Sequence, residues 1–172
     1  MRTITAAAVA LLSLAFVACD RETAAAVAGP LTDADRAAIL ATMQLSADAT
    51  GQVENECGDR VTPQFLPTEL GGSVGTAILF AIGGGPSMAA CYGDGPYIQL
   101  MKREAGGWRG IYSARGRVLV ILPTSTGGVR DIADGGPGFS FPVWSWNGTA
   151  YTPAGREISD AELATIEVTY LP

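Results

Sequence analysis

Few side chains in this sequence are equipped for chemistry. Asp131 and Asp134 lie three apart beside a Gly-rich stretch. A carboxylate pair serves acid–base work. Asp beside a turn also bonds its own backbone, and no nucleophile, base or metal set accompanies this pair. Histidine is absent, which removes Ser-His-Asp and Cys-His catalysis and zinc sites built on imidazole. The only lysine is Lys102. A Ser–Lys dyad is open in principle, but nothing around Lys102 suggests activation. Of the three cysteines, Cys57 and Cys91 form an even remainder once Cys19 is assigned elsewhere. In an exported chain such a pair suggests a disulfide, the alternative being two buried thiols. The bridge would close a loop of about 34 residues and stabilise by ~3–4 kcal/mol. Two thiols without imidazole make a poor zinc set, so neither metal nor cofactor is expected.

Cys19 ends an export segment. Arg2 and the amino terminus are positive, and Ile4 to Ala18 is uncharged and rich in Ala, Leu and Val. A helical span needs ~20 apolar residues, so this stretch suits a signal-peptide core better than an anchor. Phe16-Val17-Ala18-Cys19 resembles the lipobox of bacterial lipoproteins, with Phe16 in place of the usual Leu. The resemblance implies cleavage before Cys19, lipidation of its thiol and attachment to the membrane; several acyl chains anchor stably where one does not. The rival is cleavage after Ala26-Val27-Ala28, giving a soluble periplasmic or secreted protein. Residues 1–18 are therefore expected to be a signal peptide and 19–30 a lipidated Cys with a flexible tether. Residues 31–172 are expected to form a single domain, which is long enough for a real core.

Net charge is −6, with 17 acidic and 11 basic residues. Nucleic acid is an improbable partner for such a chain. The charge is uneven: Lys102, Arg103, Arg109, Arg115, Arg117 and Arg130 form a basic stretch between two acidic ones.

The elements that would position these groups are mostly strands. Thr32 caps a helix, with Asp33 and Asp35 in its first turn, that runs to about Leu45. Beyond it the pattern has period two. Strands are expected over 76–82, 97–103, 108–114, 117–122, 129–133, 139–146, 149–152 and 165–171. Asn147-Gly148 is a hairpin signal. The fold class is α+β: one N-terminal helix packed on a mostly antiparallel sheet of about seven or eight strands.

Cys91-Tyr92-Gly93, Gly107-Trp108-Arg109, Gly128-Val129-Arg130-Asp131-Ile132, Gly135-Gly136-Pro137-Gly138-Phe139 and Pro142-Val143-Trp144-Ser145-Trp146-Asn147-Gly148 with Tyr151 resemble small exported proteins of proteobacteria of uncharacterised function. The resemblance covers roughly residues 31–152. It implies a calcium-type loop before the first long strand. Here that stretch, 69–76, carries Glu69 as its only carboxylate, so calcium binding is not expected.

Two surfaces are candidates for binding. A two-residue loop at Asn147-Gly148 would set Trp146 opposite Thr149 and Trp144 opposite Tyr151, with all three aromatics on one face. That face is either a stacking platform for a sugar ring or apolar peptide, or part of the core. Lys102, Arg115 and Arg117 could meet an anionic envelope ligand, Arg115 and Arg117 pointing the same way if Gly116 leaves the strand intact; otherwise they form a solvated face. The expected function is a lipid-anchored, non-enzymatic envelope domain that binds a protein or a glycan. The alternatives are a hydrolase acting on envelope polymer through carboxylates, and a structural lipoprotein without a discrete site.

Overall fold

The computed structural model describes residues 30–171 except 94 and 137–139, and of Cys91 the backbone alone. Helix α1 spans Asp33–Thr42. Thr32 caps it reciprocally: its hydroxyl accepts from the Asp35 amide at 3.1 Å, and its own amide donates to the Asp35 carboxylate at 3.0 Å. The helix stops short of the expected Leu45 because Gln44 turns left-handed, at φ 58°. The Leu45 amide still returns to the Leu40 carbonyl at 2.9 Å. Ile39 and Leu40 form the buried face of α1.

Among the described residues eleven strands follow, in three antiparallel sheets. Strands β1 (Val53–Glu54) and β2 (Arg60–Val61) make a small ribbon. Strands β3 (Gln64–Gly71), β4 (Gly75–Ile82), β5 (Tyr97–Glu104) and β6 (Gly107–Arg115) form a four-stranded meander. Strands β7 (Val118–Thr126), β8 (Val129–Gly135), β9 (Ser140–Trp146), β10 (Tyr151–Ser159) and β11 (Thr169–Leu171) form a five-stranded sheet of order β10-β9-β8-β7-β11. Short helices α2 (Met88–Tyr92) and α3 (Asp160–Leu163) join strands. The protein is thus β-rich, and the single sheet of seven or eight strands expected from the sequence is corrected to three sheets.

The division falls at Gly116. Every strand of the four-stranded sheet precedes it and every strand of the five-stranded sheet follows it. Its φ of 64° takes the chain out of β6, and its amide is held by the Pro96 carbonyl at 3.0 Å. A residue with a side chain is strained in that conformation.

The two sheets face each other across one core. Ala77, Leu79 and Ala81 of β4, with Ile98 and Leu100 of β5, meet Leu119, Ile121 and Ile132 of the other sheet. Alternation sends Ile78, Phe80 and Ile82 to the opposite face, where Ile39, Leu40, Val53 and Val61 cover them. The continuous apolar run of β4 follows from burial on both sides. On the far side of the five-stranded sheet, Phe141 and Val143 pack with Ile158 and with Leu163 of α3. At ~1.5–3 kcal/mol per large apolar side chain, these three clusters dominate the stability of the fold.

The two sheets also touch at their hairpin tips. A Cβ on Gly72, in the β3–β4 turn, would lie 2.8 Å from the carbonyl carbon of Gly128, in the β7–β8 turn. Only a backbone lacking that atom comes so close.

The β9–β10 hairpin differs from its expected register. Tyr151 pairs with Trp146, and Pro153 with Trp144. A two-residue type I′ loop needs positive φ at both central residues, and Asn147 does not adopt it. Instead the Asn147 side-chain oxygen accepts from the amides of Thr149 and Ala150, each at 2.9 Å, and holds a longer turn.

Candidate functional site

Asp131 and Asp134 both lie within β8, not in a turn. Three residues apart on a strand, they point to opposite faces. Asp131 is 4% exposed, and it accepts from the hydroxyls of Thr124 at 2.7 Å and Thr126 at 2.8 Å. Arg156 stands 3.6 Å away. Asp134 is 3% exposed and accepts from the indole Nε1 of Trp144 at 2.6 Å, with the Arg117 Nε at 3.4 Å. Each carboxylate is buried and engaged, and the two share no substrate-sized space.

The aromatic face is core. Trp146 is 5% exposed and Tyr151 6%, and both sit between the sheets with Trp144 packed alongside. Tyr112 of β6 meets Trp144 edge-on at 5.3 Å, and Trp146 meets Tyr151 at 5.7 Å. The Tyr151 hydroxyl donates to the Arg130 carbonyl at 2.7 Å. Burial pushes the phenols of Tyr112 and Tyr151 far above their usual range, and the charge of a neighbouring aspartate adds to it. The expected alternation of Trp144, Trp146 and Tyr151 onto one face holds, but the other strand face is covered as well, so these three side chains form no exposed platform.

The basic residues are dispersed. Because Gly116 ends β6, Arg115 and Arg117 do not share a strand face. Arg115 is bidentate with Glu56, at 2.5 and 2.6 Å, which raises the guanidinium pKa further. Arg117 turns to Asp134, and Lys102 lies 6.0 Å above the Trp146 ring. Arg103 bonds Asp35 at 2.7 Å and covers Trp108. Arg115 and Arg117 both border a hollow of about 880 Å³ at the β6–β7 junction, but their charges are matched by these carboxylates.

One residue of that set does reach a built cavity. Below the Glu56–Arg115 pair lies a space of about 400 Å³ on the helix-covered side of the four-stranded sheet. Phe80 and Ile82 of β4 and Tyr97 of β5 make its floor, because alternation directs them away from the inter-sheet core. Met43 and Leu45 enter from the chain after α1, and Tyr92 from α2. Asn55 closes the wall from the β1–β2 turn. That turn is shaped by Asn55 itself, whose Oδ1 accepts from the amides of Cys57 and Asp59, both at 2.9 Å. Asn55 is 6% exposed, and its Nδ2 has no acceptor among the described residues. The Tyr97 hydroxyl donates to Gln99 at 2.7 Å, its ring lies 5.6 Å below the Arg115 guanidinium, and burial raises its pKa.

The β1–β2 turn is tied to the loop before α2: Asp59 accepts from the Ser87 amide at 2.8 Å. Cys19 and the export segment lie outside the described residues, as does the Cys91 side chain. Glu69 accepts from the Gly71 amide at 2.9 Å and from the Thr76 hydroxyl at 2.7 Å, so the expected calcium-type stretch is a hairpin turn closed by its own carboxylate. Among the described residues no group of three or more acidic or Cys side chains is placed to hold a metal, and no helix is long and apolar enough to cross a membrane.

Sequence reasoning passed over Asn55, Tyr92 and Tyr97. Asn55-Glu56-Cys57-Gly58 has Asn at the first and Gly at the fourth turn position, which marks a turn; nothing in it marks a cavity wall. No family model matches the chain, and neither a curated protein nor a solved structure is found to resemble it.

Proposed function

We propose that the chain is a lipid-anchored domain of the bacterial cell envelope that binds a ligand or a protein and does not turn a substrate over. Cys19 carries the anchor and residues 20–30 the tether, as the lipobox-like segment suggests. The observation behind the binding role is the cavity below Glu56 and Arg115, assembled from side chains of α1's exit, the β1–β2 turn, β4, α2, β5 and β6. Such a hollow, mostly apolar with a few polar groups, is the usual form of a ligand site. The buried, fully engaged state of Asp131 and Asp134 speaks against acid–base use of that pair. The same reading includes a Cys57–Cys91 disulfide. It is supported by the placement of their neighbours Glu56 and Tyr92 on one cavity.

A structural lipoprotein without a discrete site is favoured by two findings, the burial of the Trp144–Trp146 face and the dispersal of the basic residues. The cavity is the observation that weighs the other way.

The test is fractionation of the full chain, expressed in a Gram-negative host, against Cys19→Ser. The unaltered protein should partition into detergent with the membranes. The Ser variant should appear in the soluble fraction with an unchanged melting temperature. A variant that stays with the membranes defeats the anchor.

A further inference from the structure

We propose that the cavity under the Glu56–Arg115 pair takes a small uncharged molecule with a planar or apolar body and one carbonyl or hydroxyl oxygen, and that the Asn55 side-chain amide reads that oxygen. The proposal rests on the reading of the chain as a binding domain.

Its starting point is an unmet donor whose identity is fixed. Asn55 Oδ1 accepts two backbone N–H groups, so exchanging the amide's oxygen and nitrogen would lose both bonds. Nδ2 is therefore the group without an acceptor among the described residues. A buried donor left unpaired costs ~1–3 kcal/mol, and native proteins keep few of them. This one belongs to a residue on a cavity wall.

The rest of the wall defines the class of molecule. Phe80, Tyr92 and Tyr97 offer ring surfaces, and Met43, Leu45 and Ile82 offer flexible apolar ones. The volume of about 400 Å³ is at the small end of ligand sites. The charges at the rim are matched already: Glu56 by Arg115, and Glu54 by Arg60 at 3.6 Å. An ionic head group would have to displace one of these partners, whereas a neutral acceptor adds the single hydrogen bond the site lacks. Met and aromatic side chains also adapt to the outline of a guest.

The experiment uses the purified, ¹⁵N-labelled chain and three probes of similar shape: N-benzylacetamide, n-propylbenzene and phenylacetate. N-benzylacetamide should shift the Asn55 side-chain amide resonances and bind about tenfold more tightly than n-propylbenzene, the factor one satisfied buried donor represents. Asn55→Asp keeps the oxygen that shapes the turn and removes the donor; the preference should fall to within about twofold. Should that variant fail to fold, Leu45→Trp fills the space from the loop and should abolish the shift. Equal binding of the hydrocarbon and the amide overturns the role of Asn55. Tighter binding of phenylacetate overturns the uncharged class and leaves the binding-domain reading standing. If no probe moves the resonances of Asn55 or Tyr97, both this proposal and the cavity's support for a binding role fall.

Discussion

Trp144 and Asp134 satisfy each other: the indole Nε1 donates to the carboxylate at 2.6 Å, at the margin of the inter-sheet core. One contact accounts for two side chains with functional chemistry, an aromatic ring suited to stacking and an acid suited to proton transfer. Buried indole and carboxylate groups need partners, and here each is the other's.

Asp134→Ala should therefore destabilise the protein by ~2 kcal/mol, since it strands the Trp144 N–H; Arg117, which is half exposed, rehydrates. Asp134→Asn retains an acceptor and should cost less than half as much. Urea midpoints at constant m-value measure both. Equal losses for Asn and Ala would mean that the charge, not the hydrogen bond, carries the stability.

Two glycines should respond in opposite directions. Gly72 has φ 53°, and a Cβ there would lie 2.8 Å from Gly128. Gly72→Ala should cost at least ~2 kcal/mol from the left-handed backbone and the clash together. Gly106 has open space around it, and Gly106→Ala should be neutral or stabilising by ~0.4–1 kcal/mol through the unfolded chain. Thermal unfolding of the pair decides the point.

Acid should weaken the attachment of α1. The Arg103 hydrogen bond, with the Thr32 amide, holds the Asp35 carboxyl well below its ordinary value of 3.8. Folding therefore favours the charged form. Its contribution is complete above the ordinary carboxylate range and is lost as the pH falls below 3.8 towards the folded value. Asp35→Asn should melt below the parent at pH 6, and the gap should narrow steadily as the pH falls through 3.8 towards 2. A gap that persists in acid would assign the loss to helix capping without charge.

Removal of the proposed disulfide should cost ~3–4 kcal/mol, whether by reduction or by Cys57→Ser. The comparison is made between oxidised and reduced protein in urea. No difference between them would set the pairing aside.

The long apolar and alternating strands were legible in the sequence. β4, β5, β6 and β8 fall within two residues of their expected ends, and Thr32 caps as its position suggested. β3 was not legible because it contains Pro67 between Leu66 and Thr68, a residue that argues against a strand. As the edge of its sheet it tolerates a missing donor. The separation into two sheets depends on one left-handed glycine, Gly116, which the pattern of side chains does not distinguish from the other turn glycines. The aromatic face was placed correctly as a face; its burial depends on Tyr112 and Leu119, which come from other strands and leave no trace near Trp144. The cavity was least legible, because its wall joins segments from Met43 to Arg115 that no local pattern connects.

The sequential separation of the sheets at Gly116 makes the protein two nearly complementary fragments joined by one peptide link. A chain cut after Gly116 would leave each piece with a whole sheet and a bare apolar face. Neither face could stay exposed, so the pieces should be poorly structured alone and fold together on mixing. The docking step, not strand pairing, would then limit reassembly: pairing within each sheet is nearly all between consecutive strands, which is rapid by its nature.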